Sequence, residues 1–240
     1  LQIISRGLKP DGGGSVLLTA PIVRTLRPVQ EERAGKVCKI RGMAYVTKVS
    51  PSLAHRMIDA AKKTLRGYIA DVYITVDQRK GATGGSSPGY GLFLTAETTE
   101  GVFYHGEAIS KPKDEPGNPL LAEDVGHLAA CNLLNQIYSG GCLDTCAQAL
   151  AVTFMSLGEK DVSKYLFGPL STYWLPIRIW SIIFSVHALR NLRRIFEITF
   201  KIDEWKKTRK EGDDQRVGSE NKAILTCIGV GFSNLNKIVL

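Results

Sequence analysis

The chain has 240 residues, 44% hydrophobic and 22% charged, with 31 Lys+Arg against 23 Asp+Glu and a formal charge of +8. That length buries one large or two small cores, and the composition excludes disordered, collagenous and disulfide-scaffold chains. Five cysteines, Cys38, Cys131, Cys142, Cys146 and Cys227, are an odd count that fits reduced thiols.

The charge is uneven. Residues 1–80 carry 15 basic and 6 acidic side chains, residues 81–188 carry 5 and 10, and residues 189–240 carry 11 and 7. A basic excess at both ends suits a polyanion such as RNA or DNA; a solvated surface accounts for it equally well.

In chain order, Arg6-Gly7-Leu8-Lys9-Pro10-Asp11-Gly12-Gly13-Gly14 reads as a glycine-rich loop entering a strand at Ser15–Leu18. Glycines let backbone N–H groups approach a phosphate or another backbone closely. A strand is predicted between Val37 and Val49. Ser50-Pro51 then supplies an N-cap and N1 pair for a helix whose Leu53, Met57, Ala60, Ala61 and Leu65 share one face. Gly67 closes that helix, and Val72–Val76 is a strand. A Gly/Ser/Pro loop, Gly81–Gly89, leads into a hairpin of Tyr90–Ala96 and Val102–Ala108. This β-α-β-β-β order makes a small α/β unit.

Pro112–Pro119 reads as a linker. Helices are predicted over Ala122–Tyr138 and Asp144–Leu157, the second apolar nearly all round and so expected to be buried. Short strands follow at Lys164–Phe167 and Ala223–Val230. Phe196, Ile198, Phe200 and Ile202 alternate with polar residues as a half-buried strand. The apolar stretch Trp174–Leu189 contains Pro176 and Arg178 and is too short for a membrane anchor.

His127-x3-Cys131 with Cys142-x3-Cys146 is a loose zinc pattern, and buried cysteines are the stronger reading, so no metal is expected. Glu123-Asp124 suits a helix start, and His105 and Glu107 share a strand face. Arg190, Arg193 and Arg194 have helical spacing and form either a phosphate-binding patch or a solvated face. No Walker motif, Rossmann fingerprint or nucleophile elbow is present.

The run Arg6-Gly-Leu-Lys-Pro10-Asp-Gly12-Gly13-Gly14-Ser-Val16 resembles the signature of the RNA 3′-terminal phosphate cyclase superfamily. Ser87-Pro88-Gly89-Tyr90-Gly91-Leu92, Ala96–Thr99, Gly140-Gly141-Cys142-Leu143-Asp144, Asp161–Lys164 and Gly231–Leu235 are similar to its cyclase-like branch in eukaryotic ribosome biogenesis. The resemblance implies an α/β (α+β) cyclase-like fold in three parts. Residues 1–24 would be a remnant of the large domain and 25–111 a small inserted α/β domain. Residues 112–240 would be the last βαβ-type repeat, interrupted by an apolar insertion near 174–188. In such proteins the signature lies well into the chain, and this one opens on Leu1, so an N-terminally truncated form is expected.

The cyclase reaction needs a histidine nucleophile after a Gly-Pro strand end and an Asp-Gln pair lining the adenylate pocket. By the resemblance these positions hold Tyr173, Ala149 and Leu150. A tyrosine of pKa about 10 is protonated near neutral pH, where imidazole is a free nucleophile. The implied protein is therefore a non-catalytic nucleolar factor of small-subunit rRNA maturation, with no catalytic residue, cofactor or membrane contact. Its partners would be pre-rRNA, a ribosome-assembly GTPase and a processing complex. Arg6, Lys9 and the Gly12, Gly13 and Gly14 backbone are the expected phosphate contacts, with the basic face of the Ser50–Arg66 helix a second surface. The alternative is a pre-rRNA endonuclease using groups such as Asp144, Asp161 and Lys164.

Overall fold

A computed structural model describes residues 1–112, 115–117, 120–169, 180–205, 219 and 221–235, with the side chains of 180–187 set aside. The chain divides into two compact units. Unit 1 comprises Leu1–Ala20, Val37–Thr98 and Tyr104–Asn135; unit 2 comprises Pro21–Lys36, Thr99–Phe103 and Gln136–Leu240. The fold is α/β (α+β).

In unit 1, β1 (Gln2–Ser5) and β2 (Ser15–Leu17) form an antiparallel ribbon flanking the signature loop. The larger sheet has the order β5-β4-β6-β7, from β4 (Val37–Thr47), β5 (Val72–Arg79), β6 (Gly89–Thr98) and β7 (Phe103–Ile109). The last strand begins at Phe103 in the other unit's span, so only Tyr104–Ile109 belongs here. β4 is central: it pairs parallel with β5 from Ile40↔Val72 to Thr47↔Arg79 and antiparallel with β6. A parallel pair needs a crossover, and α1 (Ser52–Leu65) supplies it. The α1 residues Ala54, Met57, Ile58, Ala61 and Leu65 are buried, one turn apart on one face. The helix starts one residue later than the sequence indicates, with Pro51 as N-cap and the Ser50 hydroxyl accepting from Ser52 N at 3.3 Å.

The second helix, α2 (Ala122–Ser139), lies against the same core through glycines. A Cβ on Gly126 would collide with the Met57 carbonyl oxygen, and one on Gly106 of β7 would collide with Leu133 N. Backbone contact replaces side-chain interdigitation at both crossings.

Unit 2 holds a sheet of order β3-β8-β10-β9: β3 (Gln30–Glu31), β8 (Val162–Phe167), β9 (Lys201–Glu204) and β10 (Ala223–Ile228). Its core gathers Val152, Met155, Phe167, Leu192, Leu225 and Cys227 from the sheet, α3 (Gln148–Leu157) and α4 (Trp180–Phe196), with Leu143 and Ile198 from the connections.

Three expectations change. The alternating run from Phe196 is not a strand at its start: α4 continues through Phe196, Glu197 turns with φ of 56°, and pairing with β10 begins only at Lys201. The helical spacing of Leu189, Leu192 and Phe196, all packed in the core, prevails over the two-residue alternation, and Ile202 is exposed. The expected helix from Asp144 begins as a 3₁₀ turn, Thr145–Ala147. It is not buried all round either: Leu150 and Phe154 are exposed, while Gln148 and Ser156 are buried. The described part of the Trp174 stretch belongs to α4, and among the described residues no helix is long and apolar enough to cross a membrane.

Gly126→Ala tests the backbone contact between α1 and α2. Helix propensity alone would favour the substitution by about 1 kcal/mol, but the methyl collides with Met57 backbone. Urea unfolding is expected to show a net loss of about 1–3 kcal/mol, the range for overpacking. Gly67→Ala, with open space around its Cβ position, is the control expected to be neutral or slightly stabilising.

Candidate functional site

The signature loop owes its form to backbone packing. Gly12 and Gly13 have φ of 66° and 77°, and the Gly12 N–H closes the loop on Leu8 O at 2.8 Å. A Cβ on Gly7 would strike Gly14 N, and one on Gly13 would sit 2.7 Å from Ser86 Oγ. The opposite wall is the β5–β6 connection. Ser86 N donates to Gly12 O at 2.9 Å, Arg6 N donates to Thr83 O at 2.9 Å, and a Cβ on Gly85 would collide with Arg6 O. Asp11 and Ser87 are joined twice: Ser87 Oγ donates to Asp11 Oδ2 at 2.8 Å and accepts from Asp11 N at 3.0 Å. Thus Arg6–Gly14 and Ser87–Leu92, distant in sequence, meet as one structure.

Arg6 locks this structure to the sheet. Its Nε lies 2.8 Å from Asp77 Oδ2, its Nη2 is 3.0 Å from Met43 Sδ, and its guanidinium carbon sits 4.3 Å from the Tyr45 ring centroid. Arg79 Nε holds the other Asp77 oxygen at 2.8 Å. Burial pushes the Asp77 carboxyl up, yet the hydrogen bonds and charges of Arg6 and Arg79 outweigh it and leave the group below its ordinary value. Burial raises the Tyr45 phenol, against the pull of the Arg6 cation.

Of the expected phosphate contacts, Arg6 is therefore bound to a carboxylate and mostly covered, at 14% side-chain exposure. Lys9 is exposed beside the cis Lys9–Pro10 bond, and Gly12, Gly13 and Gly14 shape the loop. On α1, Lys62 and Lys63 are exposed, as is Arg66 at its C-cap. Arg56 is taken by Glu123 through bonds of 2.6 and 2.8 Å. Asp124 Oδ2 accepts from Leu121 N at 3.0 Å, so the acidic pair at the start of α2 is structural.

Unit 2 repeats the device. Gly140 and Gly141 have φ of 67° and 90°, and a Cβ on Gly141 would collide with Gly168 N. Cys142 N donates to Leu166 O at 2.7 Å, and Tyr165 OH donates to Cys142 O at 3.2 Å. The Gly140–Asp144 motif is thereby fixed to the end of β8. Beside it opens a cavity of about 300 Å³ with Glu31, Glu100, Leu143, Asp144 and Tyr165 in its wall. Burial, reinforced by Glu31, pushes the Cys142 thiol up to about 12. Burial, with Cys142 and Glu31 adding to it, likewise pushes the Tyr165 phenol up to about 12. The sequence offered Leu143 and Asp144 through their motif but gave no sign of Glu31 and Glu100.

Ala149 lines a separate apolar cleft of about 20 Å³, room for roughly one water, with Gln148, Val152, Phe167, Ala188, Leu189 and Leu225. Gln148, the one polar side chain among the described residues of that lining, donates to Pro169 O at 3.4 Å. Leu150 is exposed, and Tyr173 lies outside the described residues. Lys164 is paired with Glu32 at 3.1 Å, and Asp161 Oδ1 accepts from Val162 N at 2.7 Å. Among the described residues, Asp161 joins no cluster that could hold a metal. Arg190, Arg193 and Arg194 are exposed at the end of α4.

Residues 32–138 match the model of the RNA 3′-terminal phosphate cyclase insert domain. Across its whole length the chain is 63% identical to a probable RNA 3′-terminal phosphate cyclase-like protein of Caenorhabditis elegans, covering 61% of that relative. Along nearly its whole length the chain is thus similar to RNA 3′-terminal phosphate cyclase-like proteins. It is also 44% identical, over 99% of its length, to the Homo sapiens cyclase-like protein, of which it covers 59%. It is 33% identical to the rRNA processing protein rcl1 of Schizosaccharomyces pombe over 99% of its length, covering 58% of that protein. The chain thus spans about three fifths of the length of these cyclase-like relatives.

Asp77→Asn tests the Arg6 lock. The lowered carboxyl contributes stability that is fully present above its ordinary value of 3.8 and is lost as pH falls through the lower folded value. At pH 7 the variant is expected to lose about 1–3 kcal/mol, because two partly buried guanidiniums are left without their acceptor. The gap to the wild type should narrow in denaturation curves taken near pH 3.

Proposed function

We propose that this chain is part of a non-catalytic cyclase-like factor in nucleolar pre-rRNA processing and small-subunit biogenesis, binding pre-rRNA and a ribosome-assembly GTPase. The observation that carries the reading is the match, along nearly the whole chain, to cyclase-like proteins that include one named an rRNA processing protein. The loss of cyclisation is supported by chemistry. By the resemblance, Tyr173 falls where the cyclase has its catalytic histidine, and Ala149 and Leu150 where it has an acid–amide pair. Among the described residues the cleft beside Ala149 has an almost wholly apolar lining and a volume of about 20 Å³, which suits no nucleotide.

RNA contact falls to Lys9, the glycine-loop backbone and the exposed Lys62, Lys63 and Arg66, with Arg6 holding the loop in place. The exposed Leu150 and Phe154 on α3 are apolar surface suited to a protein partner. An endonuclease would need carboxylates gathered to hold metal; Lys164 is paired with Glu32, and among the described residues Asp161 joins no such group, which disfavours a cutting site built on Asp161.

The test incubates the full-length protein with labelled ATP and, separately, with pre-rRNA spanning the early cleavage sites. The expected result is no covalent adenylate, no cleavage and RNA binding that weakens steeply with salt. A protein–adenylate bond would overturn the non-catalytic reading. Metal-dependent cutting abolished by Asp161→Ala, with binding intact, would establish the nuclease instead.

A further inference from the structure

In unit 1, α1 packs on one face of the four-stranded sheet, against β4, β5 and β6. Ile40 and Ala44 of β4, Ile74 of β5, and Leu92 and Leu94 of β6 are buried there. Alternation along each strand sends their neighbours to the opposite face. On that face Arg41 and Met43 of β4, Tyr73 and Thr75 of β5, and Phe93 of β6 are all exposed, Tyr73 at 61%. The register sets them side by side, with Arg41 next to Tyr73 and Met43 between Thr75 and Phe93. Phe93 also stacks with His105 of β7, the ring centroids 5.9 Å apart and the planes inclined by 26°. Two aromatic rings and a guanidinium thus lie on one solvent-facing surface across three strands.

We propose that this sheet face is a stacking platform for the unpaired bases of single-stranded RNA, with Tyr73 and Phe93 as the rings and Arg41 as the cation beside them. Every base has a π face, so rings on a sheet hold a single strand with little regard to its sequence, and a guanidinium plane stacks in the same way. In a duplex those base faces are hidden within the stack. The inference rests on the reading that the protein binds pre-rRNA, and it adds which state of that RNA is held.

The charges around the rings suit a polyanion. β4 and β5 lie within residues 1–80, where basic side chains outnumber acidic ones 15 to 6. The nearby carboxylates are already engaged: Asp71 by Arg41 at 2.8 and 2.9 Å, Glu97 by Lys39 at 2.9 Å, and Asp77 by Arg6 and Arg79. Arg41 spends its Nη groups on Asp71 and Ile40 O, and its Nε–H meets no partner among the described residues. Exposed Glu107 on β7 marks the acidic margin of the platform.

The experiment measures, over a range of salt, how the full-length protein binds a labelled single-stranded pre-rRNA segment and the same segment annealed to its complement. The single strand is expected to bind more tightly. Tyr73→Leu and Phe93→Leu keep apolar bulk but lose the ring, and each should weaken single-strand binding roughly tenfold. The salt slope should not change, because stacking releases no counterions. Tyr73→Phe should bind as the wild type does. A bromouridine-substituted strand should photocrosslink to Tyr73 or Phe93, located by peptide mass spectrometry. Wild-type RNA affinity in both leucine variants overturns the platform and leaves the face to a protein partner, with the pre-rRNA reading intact. Equal affinity for the duplex overturns the platform as well. No RNA binding by the wild type overturns both the platform and the reading beneath it. If urea unfolding shows that Phe93→Leu has lost its fold, the two Tyr73 variants decide: equal affinities for leucine and phenylalanine sink the proposal.

Discussion

The approach of one backbone to another, closer than any Cβ allows, is the constraint on which both units rest. In unit 1 the signature loop meets itself at Gly7 and Gly14 and meets the β5–β6 connection at Gly13 and Gly85. In unit 2 Gly141 meets Gly168 at the end of β8. At all of these points glycine is required by contact, and at Gly13, Gly85 and Gly141 by positive φ as well. The glycines of Arg6–Gly14 and Gly140–Gly141 are read here first as packing motifs.

This constraint changes the reading of the charges beside it. An arginine next to three glycines invites assignment to a phosphate. The geometry assigns its guanidinium to Asp77, with Tyr45 beneath and Arg79 completing the pair. Desolvation opposes a charged Asp77, and two guanidiniums reverse that balance. The structure thus separates the residue that holds the loop from Lys9, the exposed cation on it. It likewise separates Arg56, spent on Glu123, from the exposed Lys62 and Lys63.

Local signals were legible in the sequence. α1 follows from Ser50-Pro51 and a helical apolar face, the hairpin from its alternation and turn residues, and the glycine loop from its composition. Nonlocal features were not. β3 is two residues long and exists because Gln30 pairs parallel with Lys164, which no periodicity encodes. The partner of Arg6 lies 71 residues away. At Phe196–Phe200 two periodicities competed, and packing of Leu192 and Phe196 against the core decided for helix. α3 reads as buried because it is apolar, yet Leu150 and Phe154 are exposed, since hydrophobicity fixes what can be buried but not what covers it.

The central claim is that Arg6 clamps the signature loop while Lys9 faces the polyanion, and the salt dependence of RNA affinity separates the two roles. Each phosphate neutralised on a single strand adds about 0.7 to the slope of log K against log salt. For the full-length protein, the account predicts that Lys9→Ala lowers the slope by about that amount, whereas Arg6→Gln leaves it unchanged while loosening the loop. A slope that falls for Arg6→Gln and stays put for Lys9→Ala would contradict it.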